Sequence, residues 1–176
     1  MCIVIDADTV SRVFNASSQS FNDYMPVLKW IVFGKAKLSL GGKLKEEYAV
    51  MRKYRALFAE FSRFNKIHSF DDEKVNELSD LIKERESDPD FDDSHVLALL
   101  IVSKSKLFCT YDSRNFKFIK KIKSYQKTAI RPKILTTNGH RLKTSLINDI
   151  NLCDLEDHCE LKKEVADYIF ELIVEN

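Results

Sequence analysis

The chain has 176 residues, the length of one domain able to bury about two-thirds of its unfolded surface. A hydrophobic share of 44%, a charged share of 31%, and only 4 glycines and 3 prolines exclude a disordered, collagenous or low-complexity chain. The longest apolar run, residues 96–102, falls far short of the ~20 residues of a membrane span, and Asp6 is reached with no basic region before it; four scattered cysteines without a Cys-x-x-Cys pair then point to a cytoplasmic protein with reduced thiols.

Residues 2–5 are a continuous apolar, β-branched run that stops at Asp6, as a buried parallel strand reads at its carboxyl end. A short helix from about Thr9 and a second over residues 21–33 follow, separated by the polar loop 15–20. Residues 37–40 form a second strand ending at Gly41-Gly42. Residues 43–64 read as one long helix, with Met51, Tyr54, Phe58 and Phe61 on one face. A third strand over 66–70 precedes a polar-faced helix, 71–86, which Ser87 to Pro89 ends. An apolar helix over 93–104 leads to a buried strand, 107–110, and to Asp112. Residues 134–137 supply a last strand and 161–174 a closing helix with Val165, Tyr168, Ile169 and Leu172 inward. Strands alternating with helices give an α/β fold, a three-layer α/β/α arrangement around a central parallel sheet. Residues 1–176 read as a single domain.

The net charge of +1 conceals a separation of signs along the chain. Residues 113–148 contain no acid, yet carry Arg114, Lys117, Lys120, Lys121 and six further Lys and Arg residues, interleaved with Phe116, Phe118 and Tyr125. Such a stretch reads as a track for a nucleic-acid backbone, with Arg114, Lys117, Lys120 and Lys121 nearest to Asp112. The competing reading is a solvated face balanced by the acidic tail.

Ligands of open parallel sheets bind outside the carboxyl ends of the strands, where Asp6 and Asp112 fall. Stepping back four residues from Met51 places Glu47 on the inward stripe of its helix, and Asp93 shares a face with Leu97 and Leu100, with Asp92 a second candidate. Each acid alone has an ordinary role: Asp93 as a helix cap, Asp112 in a turn, Glu47 as a solvated first-turn acid. Four carboxylates on one rim repel strongly, and a divalent cation such as Mg²⁺ or Mn²⁺ resolves that repulsion. Cys153, His158 and Cys159 lack the spacing of a structural zinc site.

On these residues the chain resembles the PIN domain ribonuclease family, which includes the VapC-type toxins. Ile3-Val4-Ile5-Asp6-Ala7-Asp8 is similar to the family's opening strand and first Asp, and Leu44-Lys45-Glu46-Glu47-Tyr48 to its acidic helix start. Asp93-Ser94-His95-Val96-Leu97-Ala98-Leu99 carries the third acid and Leu107-Phe108-Cys109-Thr110-Tyr111-Asp112 the fourth. The resemblance covers residues 1–118 and leaves the basic segment and C-terminal helix outside it; Ala7 and Asp8 depart from the usual Thr and Asn or Ser. It implies a PIN-like fold and a Mg²⁺- or Mn²⁺-dependent endoribonuclease. In that reading Asp6, Glu47, Asp93 and Asp112 are both catalytic residues and metal ligands, and a metal-activated water hydrolyses the phosphodiester. The implied partners are RNA and, for a toxin, an antitoxin or other neutralising protein; a homodimer is a further expectation. His95 reads as a packing residue near the site, Thr110 as a hydroxyl that orients Asp112, and Ser113 either as a second such hydroxyl or as a turn-forming residue.

Two rival readings belong to other classes. Residues 2–9 also fit the opening of a haloacid dehalogenase-like phosphatase, with Asp6 as nucleophile and Asp8 as general acid, although the later Ser, Lys and paired acids fit poorly. An inactive PIN-like module would bind RNA or a protein through its lysines, but has no need of all four acids.

Overall fold

Residues 2–139, 141–151 and 159–175 are described in the computed structural model. Five short strands, β1 (Cys2–Ile5), β2 (Lys37–Leu40), β3 (Ile67–Ser69), β4 (Leu107–Cys109) and β5 (Lys133–Leu135), form one all-parallel sheet in the order β3-β2-β1-β4-β5. Ile3 to Ile5 and Leu107 to Cys109 are almost wholly buried because helices cover both faces, which parallel strands require. The expected α/β class and three-layer arrangement are therefore observed.

The helices are α1 (Val10–Phe14), α2 (Phe21–Val32), α3 (Gly42–Val50), α4 (Arg55–Arg63), α5 (Asp72–Arg85), α6 (Ser94–Ser103), α7 (Asn115–Lys120), α8 (Ile122–Tyr125) and α9 (Lys163–Val174). Helices α3, α5 and α6 pack on one another, and α6 lies against β1 and β2. Helix α6 is apolar on every side and buried on every side but one, at Val102. The second packed group contains α1, α2, α4 and α9. The buried apolar residues form one continuous cluster. Among the described residues no helix is long and apolar enough to cross a membrane.

Two sequence expectations are corrected. The long helix of residues 43–64 is two helices, because Met51 leaves helical geometry at ψ 78° and a 3₁₀ turn, Arg52–Tyr54, intervenes. Ten residues of continuous helix would separate Tyr48 from Phe58 by about 15 Å. The rings instead meet at 4.8 Å between centroids, and Tyr54 packs on Phe58 at 6.0 Å. Tertiary aromatic packing thus outweighs the local helical pattern. In α9 the fully buried stripe is Ala166, Ile169 and Ile173, while Tyr168 is half exposed.

The passage from β2 into α3 depends on Gly42, whose φ of +53° suits glycine. A Cβ there would stand 2.5 Å from Asn76 Oδ1 and 2.8 Å from Val75 Cγ1, so α5 approaches the bare backbone. The Gly42 amide donates to Asp72 Oδ1 at 2.8 Å, and Lys45 pairs with the other carboxylate oxygen at 2.6 Å. Those contacts set the position of α3, and with it Glu47.

Candidate functional site

The strand order fixes where a site belongs. Strands β1 to β3 wind outward in one direction, and the chain then crosses to the other side of β1 for β4 and β5. The crevice at the carboxyl ends of β1 and β4 is the switch point where open α/β sheets bind ligands. Ile5 pairs with Cys109, so Asp6 and the segment from Thr110 to Asp112 emerge side by side.

The Asp6 amide donates to the Cys109 carbonyl at 2.9 Å and extends the ladder past the strand end. The Thr110 hydroxyl donates to Asp6 Oδ2 at 2.7 Å and accepts from the Asp112 amide at 3.0 Å. Thr110 therefore holds the Asp6 carboxylate, and only the backbone of Asp112. The hydroxyl of Tyr48 donates to the Ile5 carbonyl at 2.9 Å, tying α3 to the end of β1.

Asp93 occupies the N-cap position of α6, yet its side chain makes no capping bond. Its Oδ2 instead accepts from Asn115 Nδ2 at 2.9 Å, and the same nitrogen lies 3.4 Å from Asp6 Oδ2. Asn115, in the first turn of α7, thus brackets Asp6 and Asp93 with a single amide. The sequence gives no sign of this role, because an Asn three residues after an acid looks like turn chemistry.

Glu47 faces the same cleft, with Oε1 3.4 Å from His95 Nε2 and 3.7 Å from Lys43. His95 is buried, so it steadies Glu47 from within the protein. Asp6, Ala7, Asp8, Glu47, Asp93, Asp112 and Arg114 line one cleft of about 230 Å³. The four acids expected from the sequence therefore share one cleft. Asp8 joins them at its exposed edge, accepting from the Thr9 hydroxyl at 2.6 Å, while Asp92 lies outside the lining.

The electrostatics divide the acids. Burial, followed by the charge of Asp8, pushes the Asp6 carboxyl up to about 7. Burial likewise raises Asp93, against the opposing hydrogen bond from Asn115. Neither has a cationic side-chain partner among the described residues. Asp112 is held below the usual range by Arg114, whose Nη2 and Nε reach its Oδ2 at 2.6 and 2.8 Å while Nη1 stands 3.4 Å from Asp92. As the side chains lie, no group of three His, Cys, Asp or Glu residues among those described stands at metal-holding distances. Asp112 is drawn toward the guanidinium and Glu47 toward His95. The donor chemistry nevertheless fits a hard divalent cation, since the cleft offers carboxylate oxygens and two of those carboxylates form no ion pair among the described residues.

The basic segment is organised by ion pairs with the loop between α5 and α6. Lys117 Nζ lies 2.7 Å from Asp88 and 3.1 Å from Asp90, and Lys121 Nζ lies 3.2 Å from Glu86, which also accepts from the Tyr125 hydroxyl. Of the four cations expected on a nucleic-acid track, Lys120 alone makes no ion pair or side-chain hydrogen bond among the described residues. Phe118 is core, packed on Phe91 at 4.4 Å. Cys153 and His158 lie outside the described residues, and Cys159 Sγ donates to the Phe64 carbonyl at 3.1 Å.

No family model, curated protein or solved structure matches the chain.

Proposed function

We propose that the protein is a divalent-metal-dependent ribonuclease of the PIN type, acting on RNA in the cytoplasm at the cleft between β1 and β4. The observation that carries this reading is the pair Asp6 and Asp93, two carboxylates at the switch point that share one amide and form no ion pair among the described residues. Asp6 and Asp93 would hold Mg²⁺ or Mn²⁺, with Glu47 and Asp112 bordering the ion. When bound, the ion activates water and stabilises charge on the phosphate oxygens.

The chain's own groups supply positioning. The Thr110 hydroxyl and the Asn115 amide fix the Asp6 carboxylate, Asn115 alone fixes Asp93, and His95 holds Glu47 against the cleft wall. Burial pushes the His95 imidazole below its ordinary range, which suits a neutral hydrogen-bonding partner better than a fixed positive charge. Arg114 stands where the phosphate would arrive and can pass from Asp112 to a phosphate oxygen with its fork of donors intact.

The test is cleavage of RNA by purified protein in Mn²⁺ or Mg²⁺, with 5′-phosphate ends expected and EDTA abolishing the reaction. Release of phosphate from p-nitrophenyl phosphate, lost in Asp8→Asn, would replace this reading with the dehalogenase-like one.

A further inference from the structure

Beside the acid cleft lies a second, apolar cleft of about 170 Å³ lined by Leu40, Lys45, Tyr48, Ala49, Arg55 and Phe58. Leu40 ends β2, so the cleft opens at the same carboxyl edge of the sheet as Asp6. Tyr48 joins the two: its ring packs against Phe58 at 4.8 Å, and its hydroxyl donates to the carbonyl of Ile5, the residue before Asp6. Glu47, on the neighbouring position of α3, lines the acid cleft.

Among the described residues, three of the four basic side chains nearest Asp112 are already engaged, and Lys120 is not. Arg114, Lys117 and Lys121 are neutralised by Asp112, Asp88, Asp90 and Glu86. In the turn between α3 and α4 and at the first position of α4, the exposed Arg52, Lys53 and Arg55 make no ion pair or side-chain hydrogen bond among the described residues. Lys45 at the rim is paired with Asp72. The free positive charge of this edge therefore borders an aromatic-walled cleft next to the carboxylates.

We infer that this cleft seats one base of a single-stranded RNA, against Phe58 and the Tyr48 wall, with Arg55 and Arg52 on the flanking phosphates. A flat base supplies the apolar face the floor requires, and adjacent phosphates supply the anions the free guanidiniums lack; aromatic walls combined with unpaired cations are the general means of holding single strands. A base seated here places the next phosphodiester toward Asp6 and Asp93. The inference rests on the ribonuclease reading of the acid cleft and extends it to single-stranded substrate.

The test uses the full chain in EDTA, where cleavage does not intervene, with a fluorescein-labelled single-stranded RNA carrying one 2-aminopurine. Wild type is expected to bind and to quench the 2-aminopurine. Arg52→Ala/Arg55→Ala should bind on the order of tenfold more weakly at low salt and reduce the salt slope by roughly 1.4, about 0.7 for each phosphate contact. Phe58→Leu keeps apolar bulk and removes the ring, so the quench should disappear, with its melting curve recorded to show that the fold persists. Unchanged affinity and salt slope in the arginine variant, or an unchanged quench in folded Phe58→Leu, overturns the base seat and leaves the metal-site reading intact. Wild type that does not bind the RNA overturns it too and points to a protein partner for the cleft. Binding and quench as expected, without any cleavage in Mn²⁺, would retire the nuclease reading and leave the seat standing.

Discussion

Asp6 and Asp93 each bury a carboxylate with hydrogen bonds but no counter-ion among the described residues, and that imbalance has measurable consequences. The Asp6 carboxyl titrates near 7 in the folded chain against 3.8 in its ordinary state. A raised folded value means that stability is fullest below the ordinary value and is lost as pH climbs through about 7. In metal-free buffer, wild type should lose stability between about pH 4 and 7, and Asp6→Asn should lack that loss and be more stable at pH 7.5 by about 4 kcal/mol. Denaturant melts of both proteins across this range check it. Arg114 competes with any cation for Asp112, so Arg114→Ala should tighten Mn²⁺ binding by roughly tenfold, about 1.4 kcal/mol, in calorimetric titration. At this scale the sequence was informative where a residue ends a strand: Asp6 and Asp112 were legible from their apolar runs. The Arg114–Asp112 pair was not, because an Arg two residues beyond an acid carries no sign of whether it faces that acid, solvent or RNA. Nor did the alternation of lysines and aromatics disclose that the loop of Glu86, Asp88 and Asp90, rather than the tail, would meet Lys117 and Lys121.

Helix α3 carries Glu47 into the cleft, and its placement depends on a bare backbone at Gly42 and a break at Met51. Gly42→Ala combines an unfavourable φ with a Cβ driven into Asn76 and Val75 of α5. It should lower stability by about 2 kcal/mol or more and displace Glu47 from His95, which a thermal melt and the His95 imidazole resonances would register. The sequence phase pointed to Glu47 through Met51 as part of one long helix. That helix is broken at Met51, yet Glu47 still faces inward, because the four residues from Glu47 to Val50 remain helical and Tyr48 is pinned to the Ile5 carbonyl. The break itself was illegible: no Pro or Gly marks it, and its cause is the long-range meeting of Tyr48, Tyr54 and Phe58.

For the molecule as a whole, the alternation of strands and helices made the parallel sheet legible, whereas the strand order, and hence the switch point, depends on which side of β1 the chain returns to. A further tie spans distant parts of the chain. Lys66 is fully buried, and its ammonium donates at 2.7 Å to both the Gly34 and Cys159 carbonyls. Burial lowers its pKa to about 8 from 10.5. Between those values the unfolded chain binds a proton the folded chain lacks, so this lysine's contribution rises with pH through that window and is least favourable below about 8. Relative to Lys66→Met, wild type should therefore gain about 3 kcal/mol between pH 7.5 and 10.5, measured as the difference between paired denaturant melts. The central claim is that the Asp6–Asp93 cleft is a metal site for RNA hydrolysis. Its most direct test is cleavage of a single-stranded RNA by wild type and Asp6→Asn side by side, with Mn²⁺ and with EDTA. The expected result is cleavage by wild type in Mn²⁺ alone and none by a folded Asp6→Asn; cleavage that survives EDTA or the substitution, or no cleavage by wild type, would contradict it.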